Sequence, residues 1–343
     1  MISKSCEAIW TVIVSGLDAC AGEVCGDNRS RYGSLSRWLN RSVLSRIPRP
    51  GVHSAIAWAM TGQTDAELEW APARVCYMAE VDRHAPANVI RADPVHLETG
   101  ADRLTLFPAV CAGLEQDEAR ALVRTLNERL EYSGRKYVIG DTDRWYLILP
   151  HSPECSWVAP ECAEGRDVLA FMPRGADAAI ISRLINDAQM VLHDHPLNEA
   201  RRSRGDPEIN SVWPWGWSAD SHKPLPGWKG GTIADHPYAR GLAMLSGSDP
   251  VVVTPEDIEW PEGCGLIVFE EVETAMRSGQ ENAVDTALMR LEEQIVQPLI
   301  LALKRGSLDR LQIVTNSGCC YSIRRADLWK FWRRQSQPEI GEA

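Results

Sequence analysis

The chain has 343 residues, of which 44% are hydrophobic and 24% are charged, and its formal net charge is −11 at pH 7. That balance is typical of a globular protein with a full apolar core, and the length allows two domains. The negative charge disfavours binding to nucleic acid or to an anionic membrane surface. No uncharged apolar stretch approaches the ~20 residues that span a bilayer, and the first residues fit a buried strand better than a signal peptide. We therefore expect a cytoplasmic protein that has no membrane partner and for which nucleic acid is not the expected partner.

The chain starts with one strand and resumes a regular pattern near residue 88. Residues 9–15 form a nearly continuous apolar run, which indicates a strand covered on both faces. Between residues 88 and 150, two pairs of short strands flank one amphipathic helix, and together they predict a small α+β unit. A second amphipathic helix follows and ends at Pro196.

The last third of the chain alternates strands with helices. The predicted strands cover 209–215, 249–255, 265–272 and 310–317. Such alternation indicates a largely parallel sheet with helices on its faces. We therefore predict an α/β fold in which residues 1–85 and 206–343 form a mostly parallel sheet flanked by helices, and residues 86–205 form an inserted small α+β domain.

The segment from residue 189 to residue 217 is the richest in functional side chains. Its candidate ligand-binding residues are His193, His195, Asn198, Arg202, Asn210, Trp213, Trp215 and Gly216. On a regular helix, His193 and His195 would point about 200° apart, so they could share a metal only if the helix has already ended. The other interpretation is that these polar side chains cap the helix and hold the chain as it returns to the sheet.

The tryptophans of this segment follow the period of a strand. Trp213, Trp215 and Trp217 recur every second residue and therefore lie on one face. Pro214 lacks a donor for the ladder, which places the strand at a sheet edge or at a bulge. Gly216 permits the close approach of a ligand or of a neighbouring element.

Several motifs carry a family resemblance when taken in order. The run 192–216, LHDHPLNEARRSRGDPEINSVWPWG, resembles the L-x-x-HP-x-N-x-x-R-x-x-x-G and N-x-x-W-x-WG segments of archaeal-type cofactor-independent phosphoglycerate mutases. It is more similar still to the RpfE-type regulatory proteins. Upstream, IRADPVHL resembles the family's R-x-(D/N)-x-V strand and adds the ligand-binding candidates Arg91, Asp93 and His96. The resemblance implies an alkaline-phosphatase-like fold, with the inserted domain as a substrate-binding lid.

The resemblance also implies a metal site, and here the chain departs from the family. Such mutases bind two divalent metals on Asp and His residues at the carboxyl ends of strands, and a Ser or Thr takes the phosphoryl group. The first metal-binding turn has the pattern D-G-x-x-D, but Ser15 stands in place of its leading Asp. The later strands are followed by Glu270, Glu271, Glu273, Thr315 and Asn316, and no histidine follows His236. We therefore expect a degenerate metal site and no cofactor.

Some residues at these positions keep alternative interpretations. The weak metal candidates are Asp18, Glu271 and Glu273; the two glutamates alternate along a predicted strand and either hold one hard cation such as Mg²⁺ or are solvated acids. Arg91 and Asp93 face the same way, either as an internal ion pair or with Arg91 capturing an anion. Trp217 stands where the family has a small residue, and we expect its indole to fill the pocket that a phosphoester would occupy.

We predict a non-catalytic binding or regulatory protein that has lost the two-metal site. The alternative is an enzyme, a metal-dependent phosphomutase or phosphoesterase that acts on small phosphorylated acids through an altered, carboxylate-based site. The expected partner is a small anionic ligand or another protein. The basic and aromatic tail, IRRADLWKFWRRQ, has the composition of a nucleic-acid or membrane contact, but the acidic remainder of the chain favours docking on the protein itself.

Overall fold

The computed structural model describes residues 7–20, 24, 32–63, 70–100, 102–131, 134–156, 158–218, 225, 227–250 and 263–329. The chain divides into two compact units, one formed by Met1–Glu67 with Pro224–Ala343 and the other by Leu68–Lys223. The breaks therefore fall at 67/68 and 223/224, whereas the sequence predicted them at 85/86 and 205/206. Residues 251–255 of the predicted strand at 249–255 and residues 330–335 of the basic C-terminal tail lie outside the described residues.

The described residues form α-helices and β-strands in both units. The helices are α1 (Gly33–Arg41), α2 (Val52–Thr61), α3 (Pro72–Glu80), α4 (Gln116–Leu130), α5 (Pro160–Ala163), α6 (Ala178–His193), α7 (Pro196–Arg204), α8 (Pro237–Leu245), α9 (Glu271–Ser278), α10 (Ala283–Arg290) and α11 (Gln297–Arg305). The strands are β1 (Ile9–Val14), β2 (Val43–Arg46), β3 (Val89–Thr99), β4 (Leu104–Pro108), β5 (Lys136–Asp141), β6 (Arg144–Ile148), β7 (Cys155–Ser156), β8 (Arg174–Gly175), β9 (Ser211–Trp215), β10 (Gly231–Ile233), β11 (Gly265–Phe269), β12 (Arg310–Thr315) and β13 (Cys319–Arg324).

The first unit is built on a six-stranded sheet with the order β10-β11-β1-β12-β13-β2. β10, β11, β1 and β12 are parallel, and β13 turns back antiparallel to β12. The apolar β1 run is central, and its alternate residues Val12 and Val14 pack with Leu35 of α1 and Leu299 of α11. Helix α2 contacts β1, β11 and β12. The mostly parallel sheet flanked by helices that the sequence predicted is confirmed.

The helical run from Ala283 to Arg305 is interrupted by a wider turn. Residues Leu291–Val296 are wound as π-helix between α10 and α11. Pro298, in the first turn of α11, has no N–H to donate and would crowd the carbonyl four residues earlier, which accounts for the local widening. Glu292 in this turn is 7% exposed and accepts from the Ser34 N–H at 2.9 Å, so it caps the start of α1.

The second unit contains an antiparallel sheet with the order β4-β3-β6-β5, and β9 also pairs with β3. Helices α4 and α6 cover one face through an apolar cluster that includes Leu122, Leu126 and Leu184. The sequence assigned residues 206–215 to the other domain, and that assignment is wrong because β9 is hydrogen-bonded to β3 from Ser211 to Trp215. β3 is the only partner of β9 within the described ranges, as the ladder gap at Pro214 requires.

No helix in the described ranges combines the length and the apolar character that crossing a bilayer requires.

Candidate functional site

The carboxyl ends of three parallel strands bring the candidate metal residues to one edge of the first unit's sheet. Val14 at the end of β1 is in register with Phe269 of β11 and with Thr315 of β12. The residues that follow, beginning with Ser15, Glu270 and Asn316, therefore leave the sheet side by side. In open parallel sheets this edge is where ligands bind.

Asp18, Glu273 and Asn316 adjoin one another at this edge. Gly16 has a φ of 85°, and a Cβ on it would lie 2.9 Å from the Glu273 nitrogen, so glycine lets the two turns touch. The Asn316 side-chain amide donates to Glu273 Oε2 at 3.2 Å, and the Ser317 N–H donates to Asp18 Oδ2 at 3.0 Å.

The glutamates do not lie on a strand as the sequence predicted. β11 ends at Phe269, and Glu271 and Glu273 belong to the first turn of α9, where negative charge is stabilised by the helix N-terminus. Arg277 Nη2 donates to Glu273 Oε1 at 2.8 Å, and Arg290 Nη1 donates to Glu271 Oε2 at 3.2 Å. Glu271 and Glu273 are thus each held by an arginine, and they do not form one ligand pair.

His236 is the imidazole that follows the edge strand β10. It is 8% exposed and is the N-cap of α8, where its Nδ1 accepts from the Tyr238 N–H at 3.2 Å. That hydrogen bond assigns the proton of the neutral ring to Nε2, which lies 3.9 Å from Glu270 Oε1. In this tautomer His236 is a donor and has no free ring nitrogen for a metal. His53, in the first turn of α2, lies against it with ring centroids 5.1 Å apart.

The donor set at this edge does not fit a pair of divalent metals. Ser15 Oγ and Asn316 Oδ1 are buried without a hydrogen-bond partner in the described structure, but both are neutral oxygens. The carboxylates of Asp18 and Glu273 already accept hydrogen bonds from the protein. Across the described ranges no group of three or more His, Cys, Asp or Glu residues is arranged to hold a metal ion.

The second unit places Arg91 and Asp93 in a buried ion pair on β3. Arg91 Nε and Nη2 lie 2.8 Å and 2.7 Å from Asp93 Oδ1, and the Trp215 indole N–H donates to Oδ2 at 2.6 Å. The Arg91 guanidinium lies between two rings, 5.4 Å from the centroid of Tyr146 and 5.2 Å from that of Trp215. Of the two interpretations of Arg91, this geometry is that of the internal ion pair.

Burial dominates the electrostatics of this pair. It raises the pKa of the Asp93 carboxyl from 3.8 to about 6, even though Arg91 and the Trp215 indole act to lower it. Burial also acts to lower the pKa of Arg91, but the Asp93 carboxylate and nearby groups hold it well above its ordinary value. The pair is therefore charged at neutral pH and is close to the titration of its acid.

A further group of polar side chains near Arg91 was not identified from the sequence. Glu80 at the end of α3 accepts from Arg144 Nε at 2.6 Å and from the Tyr146 hydroxyl. Burial raises the pKa of the neighbouring Cys76 thiol to about 12. The sequence assigned residues up to 85 to the other domain, so nothing linked Glu80 to the strand that carries Arg91.

The polar candidates between 193 and 210 mostly hold the chain in place. Asn198 is fully buried and bonds the Leu192 carbonyl at 2.8 Å and both backbone groups of Ile209, at 2.8 Å and 2.9 Å. His195 is the N-cap of α7, with Nδ1 accepting from the Leu197 N–H at 3.1 Å and Nε2 3.1 Å from Thr125 Oγ1. As at His236, this tautomer leaves no ring nitrogen for a metal, so the capping interpretation agrees with the geometry.

The remaining candidates split between backbone contacts and one shallow pocket. Asn210 bonds the backbone N–H and carbonyl of Leu97 at 2.8 Å and 2.9 Å, and His96 Nδ1 lies 2.8 Å from the Glu208 carbonyl. Arg202 pairs with Glu208 at 2.8 Å. His193 is exposed and lines a pocket of about 450 Å³ together with Asn210.

Trp213 and Trp215 lie in β9 and Trp217 follows its end, and each of the three indole N–H groups donates a hydrogen bond within the protein. The Trp213 N–H donates to the Val158 carbonyl at 2.8 Å, and that of Trp217 donates to the Ala87 carbonyl at 3.1 Å. Gly216 has a φ of 80°, and a Cβ on it would lie 3.1 Å from the Ala73 nitrogen, so the close approach is to α3. The basic residues of the tail after Trp329 lie outside the described residues.

Comparisons with known proteins found relatives of one type, which are named as phosphoglycerate mutases. No family model matches the sequence. A 2,3-bisphosphoglycerate-independent phosphoglycerate mutase of Methanosarcina mazei is 25% identical over 209 residues, 54% of this chain and 53% of that protein. One of Methanothrix thermoacetophila is 23% identical over 300 residues, 79% of this chain and 76% of that protein. The chain spans about half the length of the Methanosarcina relatives it matches.

This chain resembles one solved structure in its fold alone. The PH0037 protein from Pyrococcus horikoshii aligns over 92% of this chain and 86% of its own, with a TM-score of 0.50 and 15% identity. The relatives also correct one expectation. We expected no cofactor, and that expectation is wrong because the related mutases form a family that uses divalent metals. The chain is thus a mixed α/β protein similar, at low identity, to cofactor-independent phosphoglycerate mutases.

Proposed function

We propose that this chain is a phosphoglycerate-mutase-like binding or regulatory protein of the RpfE type, in which the paired-metal site of the mutases is degenerate. The observation that carries the proposal is the state of the strand-end side chains. Asp18 and Glu273 accept hydrogen bonds from the protein, and the one nearby imidazole with an assigned tautomer, His236, is a donor.

The physical reason lies in the charge that phosphoryl transfer requires. Two cations neutralise the transferring group and lower the pKa of the nucleophile, and they need several anionic or imidazole ligands that point at one centre. Ser15 supplies a neutral hydroxyl at the position where the resemblance expects an aspartate. The proposal concerns the pair of metals, and it is compatible with one hard cation held by oxygens.

The partner in this proposal is a small anionic ligand or another protein. The buried pair supports a ligand-binding position other than Arg91, because Arg91 is 4% exposed and its guanidinium is bound to Asp93. An anion that reached Arg91 would have to separate two charges that are already desolvated together.

The test is metal content by elemental analysis of protein purified without chelators, together with phosphoglycerate mutase and phosphatase assays in Mn²⁺, Mg²⁺ and Zn²⁺. We expect fewer than about two equivalents of bound metal and no turnover. Glu273→Gln removes a carboxylate at the strand ends, and Glu293→Gln removes an exposed one from the same unit as the matched control.

About two equivalents of metal with turnover, both lost in Glu273→Gln and retained in Glu293→Gln, would contradict the proposal. That result would instead establish the alternative of an enzyme with a carboxylate-based metal site.

A further inference from the structure

The charged side chains of the first unit are divided between the two edges of its sheet. The carboxyl ends of the parallel strands are followed by acids, of which Asp18 follows β1 and Glu270 follows β11. At the opposite edge, the register partners Arg310 and Arg324 lie side by side and share one carboxylate, that of Glu7, at 2.8 Å and 3.5 Å. The net charge of −11 averages over both edges, so it hides a local excess of positive charge.

The end of α11 brings three more cations to the edge that carries the two arginines. Lys304 and Arg305 are the last two residues of the helix, and Gly306 is its C-cap. A Cβ on Gly306 would lie 3.1 Å from Arg325 Nη1, so the Arg325 guanidinium lies against the end of the helix. Lys304, Arg305 and Arg325 are exposed, and none of them forms an ion pair within the described residues. The carbonyls at the end of α11 favour cations here, but they leave these charges open to an external anion.

Two exposed apolar side chains lie beside these cations. Leu301 is 48% exposed and lies one helical turn before the last residue of α11. Trp329 is 79% exposed and ends the 3₁₀ turn that begins at Arg325. Arg41 Nη1 donates to the Leu328 carbonyl at 2.8 Å, which fixes this turn to the end of α1. The indole is therefore presented to solvent from a turn that is held in place.

This combination of side chains fits the surface of an anionic bilayer. Peripheral proteins bind such surfaces through lysines and arginines at the lipid phosphates and through apolar side chains at the boundary of the acyl chains. Indole rings are favoured at that boundary, and a leucine there removes apolar area from water. A nucleic acid would use the cations and would stack on Trp329, but it would leave Leu301 in water. The acids at the opposite edge of the sheet would point away from the negative surface.

The surface formed by these side chains is called the basic edge, and it comprises Leu301, Lys304, Arg305, Arg324, Arg325 and Trp329. We propose that the basic edge docks on an anionic membrane surface, with its cations at the lipid phosphates and its two apolar side chains at the interface. In the sequence, residues 330–334 continue the same basic and aromatic composition. The inference is additional to the proposed function, since it uses no metal and none of the residues at the carboxyl ends of the strands.

The experiment is co-sedimentation of the full chain with lipid vesicles. Vesicles of phosphatidylcholine and phosphatidylglycerol at about 70:30 are compared with vesicles of phosphatidylcholine alone. We expect binding to the anionic vesicles that weakens as salt rises from about 20 mM to about 500 mM, because salt screens the exposed cations. Binding to the neutral vesicles is expected to be at least about 10-fold weaker.

Charge variants locate the contact. The double variant Arg305→Gln with Arg325→Gln is expected to weaken binding to anionic vesicles about 25-fold, at about 5-fold for each cation near the surface. The matched control is Arg124→Gln with Arg129→Gln, which removes two exposed arginines from α4 and changes the net charge by the same amount. We expect the control to bind as the parent does.

Apolar variants distinguish a bilayer from other polyanions. Trp329→Ala and Leu301→Ala are each expected to weaken binding to anionic vesicles about 3- to 10-fold, because each side chain partly leaves water at the interface. Met190→Ala removes a side chain of the second unit that is 73% exposed, and this control is expected to bind as the parent does.

Absence of binding to anionic vesicles, or equal binding to neutral ones, would overturn the proposal. So would a loss in the Arg124 and Arg129 control as large as that in the Arg305 and Arg325 variant. A single-stranded oligonucleotide of about 20 nucleotides that binds the chain when anionic vesicles do not would assign the basic edge to nucleic acid instead. Thermal unfolding of each variant, compared with the parent, separates loss of the contact from loss of the fold.

Discussion

The buried carboxyl of Asp93 should make the stability of the protein depend on pH in an unusual direction. Its pKa is raised from 3.8 to about 6 in the folded state, chiefly by burial. The folded state therefore holds this proton more tightly than the unfolded state does. The contribution of Asp93 to stability is greatest below about pH 4 and falls as the pH rises through about 6. The full change corresponds to about 3 kcal/mol in the free energy of unfolding.

The perturbation that isolates this effect is Asp93→Asn, which keeps the shape and removes the titration. Urea unfolding of the parent and the variant is measured from pH 4.5 to pH 7.5, and the parent is expected to lose stability relative to the variant over that interval by most of about 3 kcal/mol. Asp117→Asn, at a side chain that is 93% exposed, controls for the loss of a carboxylate alone. A difference that stays flat, or that favours the parent as the pH rises, would refute the reasoning, because it would mean that Arg91 outweighs burial.

Three further substitutions test the roles that the structure gives to candidate site residues. Arg91→Met leaves Asp93 without its cation and should lower the free energy of unfolding by about 3–5 kcal/mol at pH 7.5, with a smaller loss below pH 6 where the acid is neutral; a loss under about 1 kcal/mol would return Arg91 to the role of an anion ligand. Asn198→Ala removes three hydrogen bonds to backbone groups of the buried residues Leu192 and Ile209 and should cost about 3 kcal/mol in urea unfolding, whereas Arg202→Ala, at a side chain 44% exposed, should cost under about 1 kcal/mol; similar losses would contradict the structural role of Asn198. His195→Asn keeps an N-cap acceptor that His195→Ala removes, so thermal unfolding should find the Asn variant more stable by about 1 kcal/mol, and equal stability would argue against the cap.

Local patterns in the sequence predicted much of the fold. The apolar run at 9–15 is the central strand β1, and the predicted strands at 265–272 and 310–317 contain its parallel neighbours β11 and β12. Pro214 correctly placed β9 with a single partner in the described sheet. These predictions succeed because strand period, helix period and the missing N–H of proline act over a few residues.

The helix starts show a local signal that sequence reasoning passed over. The chain contains His195-Pro196 and His236-Pro237, and in both pairs the histidine is an N-cap and the proline is the first helical residue. Proline is favoured at that position because its missing N–H would have no partner there. The pairs were therefore readable as helix starts, which would have argued against a metal at His195.

The sequence prediction placed Glu271 and Glu273 on a strand because the sequence pattern does not show where that strand ends. No glycine or proline follows Phe269 before Gly279, so the sequence shows no stop at the end of the strand. The structure ends the strand there and begins α9, where the acids meet the helix N-terminus.

The sequence by itself determined the central strand β1, the presence of strands and helices in the last third and the absence of histidine after His236. Only the tertiary structure decided what each charged side chain binds. Asp93 and Trp215 are 122 positions apart, and Glu273 and Asn316 are 43 positions apart, yet each pair is joined by a hydrogen bond. No local period encodes such contacts, because they depend on which strands become neighbours and in which register. Burial then sets their strength, and burial is a property of the folded unit and not of the segment.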